Sequence, residues 1–233
     1  MNLRSFIIGL SASFGIAWLA VIVIPYFKMR SLPAIQLTEE DDGQTGTFYP
    51  KRTGRVTDGA RVYAENGCYL CHTQVVRPTY AGNDLYRADW GGLKDDAARG
   101  DTRRETNAFD FQYETFAHIG VARMGPDLSN VAHRVETIYA KDQDPAQWFY
   151  AHLYNPRYHP QLRSSFCPSF RFLFNEREIK GAGSLEALPF GGSDTTELVP
   201  TAEAKALVSY LMSLKKDQPV PAALNFAPAK KDG

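Results

Sequence analysis

The sequence predicts a mainly α-helical protein, with a single N-terminal transmembrane helix followed by a helical domain with long loops. Three observations carry this. Phe6 to Phe27 holds no charged residue. Near the other end, Ala206, Leu207, Tyr210, Leu211 and Leu214 recur at three- and four-residue spacing. Between them, 18 glycines and 14 prolines in 233 residues punctuate the chain into short elements.

The apolar run reads FIIGLSASFGIAWLAVIVIPYF and is bounded by Arg4, Lys28 and Arg30. At a rise of about 1.5 Å per residue, about 20 residues cross a hydrocarbon core of about 30 Å. A signal peptide has an apolar core of only about 7–15 residues, ending at a small-residue cleavage site. This run is longer and ends in Pro25-Tyr26-Phe27, an edge suited to a membrane interface. An uncleaved anchor over residues 1–30 is expected. Its flanking charges leave the orientation open.

Residues 31–56 read as a polar linker, with the acidic run Glu39-Glu40-Asp41-Asp42 as part of a solvated tether. The folded domain is expected over 57–216. A proline-bearing tail over 217–233 is expected to be disordered. Lysine plus arginine equals aspartate plus glutamate, 26 against 26, so nothing favours nucleic acid as a partner.

Cys68-Tyr69-Leu70-Cys71-His72 is the one stretch whose residue types and spacing demand a single chemistry. Two thiols three positions apart can both reach the vinyl groups of one haem, and the adjacent histidine can then swing under the iron. CxxCH is the c-type haem attachment sequence. A zinc ribbon needs a second ligand pair, and only Cys167 remains. A redox CxxC would sit early in a βαβ pattern, which is not seen here.

Thr57 or Asp58 can cap a helix that runs from Gly59 into the haem motif. Gly59 and Tyr63 share one face, and a glycine there allows close approach of another helix, the natural partner being Thr201–Leu214. Thr79 to Arg123 is long and polar, with Lys94–Arg104 charge-dense and expected to be a solvated loop. Asp127 can cap a segment carrying Leu128, Val131 and Val135. Asp144-Pro145 starts another helix, which stops before Asn155-Pro156. On that helix His152 reads as a structural polar group, because nothing pairs with it at metal-ligand spacing.

These residues resemble the membrane-anchored mono-haem cytochrome c subunit (FixO/CcoO) of cbb3-type cytochrome c oxidases. The likeness spans about residues 56–215. Gly67–Pro78 is similar to its haem-attachment segment, including Gln74 and Arg77-Pro78. Gly125-Pro126-Asp127-Leu128 matches its GPDL. Trp148, His152-Leu153 and Asn155-Pro156-Arg157 match its W-x-x-x-H-L-x-N-P-R, and Glu197–Leu214 looks like its closing helix.

The resemblance implies a class I cytochrome c-like domain, in which first and last helices cross beside one covalent haem c. Cys68 and Cys71 would form thioethers, His72 would be an axial ligand, and Arg77 and Pro126 would contact the cofactor. The Pro126 carbonyl would accept the His72 Nδ1–H. The family's other axial methionine is replaced in Ser165-Phe166-Cys167-Pro168, so Cys167 is expected as the metal's second ligand. Met124, His133 and His159 are alternatives, as is no ligand. The implied role is electron transfer rather than catalysis, from a donor cytochrome to a haem–copper oxidase catalytic subunit. Other cytochrome c subunits are expected partners. The location implied is the bacterial inner membrane, with the haem domain in the periplasm. A free-standing anchored carrier or haem redox sensor is the competing reading.

Overall fold

The computed structural model describes residues 2–38, 46–49, 51–141 and 143–221. The Glu39–Asp42 run and residues 222–233 of the expected tail lie outside the described residues. The chain divides into two units, 1–48 and 49–233.

The first unit is dominated by one helical rod, Leu3–Arg30, without a buried residue in its most apolar window. It runs as α1 (Leu3–Trp18), a π-helical turn (Leu19–Val23) and α2 (Ile24–Arg30). Asn2 caps it by accepting from Ser5 N at 2.8 Å. The π turn has a local cause. Pro25 offers no N–H and its ring crowds the carbonyl one turn back, and a widened turn relieves both. The chain thus has one helix long and apolar enough to cross a membrane among its described residues. Within the expected linker, Leu37 N donates to Gly46 O and Phe48 N to Ile35 O.

The second unit is mostly helical, and its packed body starts at Tyr49, earlier than expected. Helix α3 covers Arg55–Glu65, not the span after Thr57 or Asp58. Gly54, at φ +59°, turns the chain into it, and Asp58 sits in the first turn, where a carboxylate favours the helix dipole. Asp127 caps no helix. The short α4 (Val131–Arg134) has Asn130 at its N-cap, while Asp127 is spent on the haem-motif segment. Helix α5 (Pro145–Tyr154) is capped by Asp144, which accepts from Ala146 N at 2.9 Å.

A two-stranded antiparallel hairpin follows, β1 (Phe174–Glu178) with β2 (Thr196–Pro200), in the register Phe174 to Pro200. It corrects the expectation that the closing helix reaches back to Glu197. Helix α6 begins at Ala202, where Thr201 accepts from Ala204 N. Helices α3 and α6 cross with Gly59 against Ala206 and Tyr210. Around that crossing lies the main core: Val62, Tyr63, Leu207, Tyr210, Leu211 and Leu214, joined by Trp148, Phe149 and Leu153 of α5.

Residues 94, 95 and 97–101 are solvent-exposed, as expected of the charge-dense loop, but the wider 79–123 stretch is anchored. Three buried carboxylates pin it. Asp84 binds Arg77 and Arg123. Asp110 takes two bonds from Arg104, at 2.8 and 2.6 Å. Asp217, 3% exposed, accepts from Thr102 at 2.7 Å and Arg99 at 3.0 Å and meets His133 Nε2 at 3.0 Å. Asp217 therefore belongs to the packed body, although the tail was expected to start there.

Candidate haem site

Helix α3 ends at Glu65, and Gly67, at φ +67°, reverses the chain into a single 3₁₀ turn, Cys68–Leu70. That turn folds the backbone back on itself: Cys71 N and His72 N both donate to Cys68 O, at 3.3 and 3.0 Å. Two strands of loop then hold the motif. Val121 N and Ala122 N donate to Tyr69 O and Leu70 O, and Gly125 N donates to Cys71 O at 3.0 Å. Below them the fully buried Asp127 carboxylate accepts from Thr73 Oγ1 at 2.6 Å and from Val75 and Ser129 amides at 2.8 Å. Three donors satisfy this carboxylate, and Arg123 stands 3.9 Å away as a counter-ion.

His72 Nδ1 lies 2.8 Å from Pro126 O. A carbonyl only accepts, so Nδ1 carries the proton and Nε2 keeps its lone pair. Gly125 makes room for the ring: a Cβ there would fall 2.6 Å from Nδ1. Burial pushes the imidazole's pKa down, and the Pro126 carbonyl opposes the shift.

These residues open onto a cavity of about 540 Å³. Cys68, Cys71, His72, Pro126 and Cys167 all stand on its wall. Burial pushes the Cys68 thiol up to about 12. Cys167 is pushed up to about 11, first by burial and then by Cys71, with Arg157 opposing.

Arg77 lines no part of the cavity. Its guanidinium grips Asp84 at 3.2 and 3.0 Å, so an ion pair takes the place of the expected cofactor contact. Gln74, 1% exposed, is also structural, exchanging bonds of 3.0 and 3.1 Å with Tyr210 of α6. Of the alternative ligands, His133 faces Asp217, and His159 Nε2 meets Trp148 O at 3.2 Å while its ring stacks on Trp148. Neither is on the cavity wall. Met124 is on the rim, 71% exposed.

Three wall residues escaped the sequence reading as site residues. Arg134, 3% exposed, donates to Asp127 O at 2.7 Å but leaves Nη1 buried without a partner among the described residues. Trp148 Nε1 and His152 Nδ1 are likewise buried and unpaired. The signal for His152 was present: Trp148 and His152 are four apart on α5 and stack at 5.2 Å with 4° between planes. For Arg134 there was only its distance downstream of Pro126.

An iron porphyrin fits this donor set. It would bring two vinyl groups to the thiols, a metal to His72 Nε2 and two carboxylates to donors of the Arg134 and Trp148 kind. Buried donors without partners cost roughly 1–3 kcal/mol each, which such anions would offset. An apolar cavity of this size with a few convergent polar groups is of the kind that holds a cofactor.

A helical domain whose first and last helices cross beside a CxxCH turn, with the histidine seated on a carbonyl, is that of a c-type cytochrome. The chain belongs to the family described as cytochrome c oxidase, mono-haem subunit/FixO, whose model matches residues 16–186. The match starts inside the apolar rod and ends before β2 and α6, so the likeness of 197–214 to a family helix lies outside it. No curated protein matches the chain. Membership makes this a haem-binding electron-transport subunit of an oxidase complex.

Proposed function

We propose that this protein is the membrane-anchored mono-haem c relay of a cbb3-type haem–copper oxidase, taking electrons from a donor cytochrome and passing them to the catalytic subunit. In this reading Leu3–Arg30 anchors it in the bacterial inner membrane. The domain from Tyr49 onward stands in the periplasm, where haem c is attached. Cys68 and Cys71 carry the haem through thioethers, His72 is one axial ligand and Cys167 the other. The observation that supports this most is the 2.8 Å contact of His72 Nδ1 with Pro126 O, made beside both thiols.

When bound, the haem supplies a one-electron couple. The chain supplies everything else. Pro126 holds the proton on Nδ1, which fixes the ring and strengthens Nε2 as a donor. Arg134 and Trp148 offer their unpaired donors to the propionate carboxylates. Leu128, Val131, Phe149 and Leu153 exclude water from the wall. Cys167 is a neutral thiol until a metal displaces its proton, and thiolate favours the ferric state.

Cys68→Ser and Cys71→Ser should each abolish normal haem stain in a denaturing gel. Normal covalent yield in both variants would remove the attachment reading. A free-standing carrier or redox sensor is the second reading, and Cys167 on the wall favours it, since a thiolate lowers the potential. Detergent extraction from a host with an intact oxidase separates the two. The first reading expects the haem–copper subunit to co-purify; a chain that purifies alone supports the second.

A further inference from the structure

All three cysteines of the chain stand on the wall of the haem cavity, and all three are free thiols. The relay reading uses Cys68 and Cys71 for attachment and Cys167 for the metal, which accounts for them once the cofactor is in place. Before that, three thiols face one apolar space. The periplasm, where that reading stands the domain, is an oxidising compartment.

Cys68 rather than Cys71 is placed to meet Cys167. The segment carrying Cys167 is held at its two ends, where Leu162 and Phe170 pack against the main core. Cys68 packs against that same core, and Cys71 is not among the described residues that do so. Ser165 N donates to Leu162 O at 2.9 Å, and Phe170 N to Leu153 O at 2.8 Å. Between those bonds, residues 166–169 make no backbone–backbone hydrogen bond among the described residues, so little holds Cys167 back from the cavity. Its Sγ reaches only the neighbouring Pro168 carbonyl, at 3.6 Å. The charge of Cys167 also acts on the Cys68 thiol ahead of that of Cys71. A charge acts more strongly the nearer it stands.

We propose that Cys68 and Cys167 form a disulfide in the haem-free chain, and that this bridge closes the cavity until a dithiol reductant opens it for loading. The inference rests on the haem reading above. The bridge forms by exchange with a disulfide oxidant. The two thiols give up two electrons and two protons, a bond forms between their sulfurs, and the oxidant's S–S bond becomes two thiols. The bridge joins residues 99 positions apart, and closing so long a loop restricts the unfolded chain more than closing a short one. It therefore steadies the domain while the cofactor is not there to fill its core. Reduction returns both thiols, Cys68 to a vinyl group and Cys167 to the metal.

The test uses the haem-free full chain in detergent, made in a host without the haem-attachment machinery. It is reduced, then oxidised with glutathione disulfide, and the remaining thiols are alkylated before peptide mass analysis. Under native conditions the linked Cys68–Cys167 peptide should exceed Cys68–Cys71 several-fold, with Cys71 alkylated. In strong urea the preference should reverse, because an open chain closes a short loop at less entropic cost than a long one. The same product ratio in both conditions, or three alkylated thiols after native oxidation, would overturn the proposal. Cys71→Ser should close its bridge several-fold faster than Cys68→Ser, and equal rates would overturn it as well.

Haem uptake separates this bridge from the haem reading. Bridged wild type given haemin should show a Soret band only after a phosphine reductant is added. Oxidised Cys167→Ser, which keeps His72 and cannot close the cavity, should show the band at once. Equal uptake by the wild type before and after reduction would overturn the closing role. A Soret band in neither protein in either state fails the haem reading instead, and the linked peptide still decides the bridge.

Discussion

Gly59 of α3 lies directly against Ala206 of α6: a Cβ at Gly59 would stand 2.6 Å from the Ala206 carbonyl carbon and 2.6 Å from Tyr210 Cβ. The two helices therefore meet backbone to backbone at this point. The crossing sets where Tyr63 and Tyr210 stand, and Tyr210 in turn holds Gln74 behind the haem motif. Gly59→Ala must push the helices apart, since a backbone carbonyl cannot step aside as a side chain can. Overpacking costs about 1–3 kcal/mol where neighbours can adjust, and this site should reach the upper end. Urea unfolding should show the lost midpoint. An unchanged midpoint would mean that the two backbones have room to part at Gly59.

Gly125 serves the cofactor side in the same way. A methyl there would lie 2.6 Å from His72 Nδ1, inside the space that the hydrogen bond to Pro126 needs. Gly125→Ala should leave both thiols in place but turn the imidazole, so covalent haem persists while axial ligation weakens. Normal haem stain with an altered ferric spectrum is expected. A wild-type spectrum would show that the ring has another seat.

Some of this was legible in the sequence and some was not, for physical reasons. The α3–α6 contact could be read because Gly59 and Tyr63 share a face and α6 carries an unbroken apolar stripe. The haem turn could be read because CxxCH spacing admits one chemistry. The hairpin could not: Phe174–Glu178 reads FNERE, four of whose five residues are exposed, and it has no apolar alternation to mark a strand. The solvation of 94–101 could be read from its charge density, but the anchoring of the wider 79–123 stretch could not. Arg99, Arg104 and Arg123 pair with Asp217, Asp110 and Asp84, and the first of these joins residues 118 positions apart, which no local pattern encodes. His152 has no ligand partner at metal spacing in the sequence, and its place on the cavity wall follows only from the packing of separate segments.

Asp217 ties the C-terminal stretch to that loop with donors from Arg99, Thr102 and His133. These partners hold its carboxyl below the ordinary range against the opposing effect of burial. Asp217→Asn keeps the shape but removes the charge that several donors face. Breaking a buried pair of this kind costs about 3–5 kcal/mol. The melting temperature should fall, and residues 93–104 should become protease-sensitive. Unchanged cleavage in that stretch would show that the loop stands without the clamp.

His152 should make the domain acid-labile. Burial holds its pKa down to about 4, and His72 and His159 add to the shift. The unfolded chain titrates near 6.5, so below that pH the unfolded state binds a proton that the folded state refuses. Stability conferred by the neutral ring is full above about 6.5 and declines as pH falls toward about 4, by up to about 1.4 kcal/mol per pH unit. Denaturant titrations of the haem-loaded chain across that interval should show the decline, and His152→Leu should flatten it. Equal slopes in both proteins would place the ring in contact with water.

Cys167 decides the electronic character of the site. A thiolate donates strongly and stabilises ferric iron, whereas a thioether favours the ferrous state, so Cys167→Met should raise the midpoint potential. The substitution is tolerable on steric grounds, because Cys167 is only partly buried in a segment whose neighbours Phe166 and Pro168 are exposed. The ferric EPR signal should lose its thiolate character at the same time. Coupling the two readouts matters: a potential that moves without a change in EPR would reflect altered solvation of the cavity rather than a new ligand. If neither moves, the second ligand lies elsewhere on the wall. Met124 and His152 are then the residues to replace next, since His133 and His159 face away from the cavity.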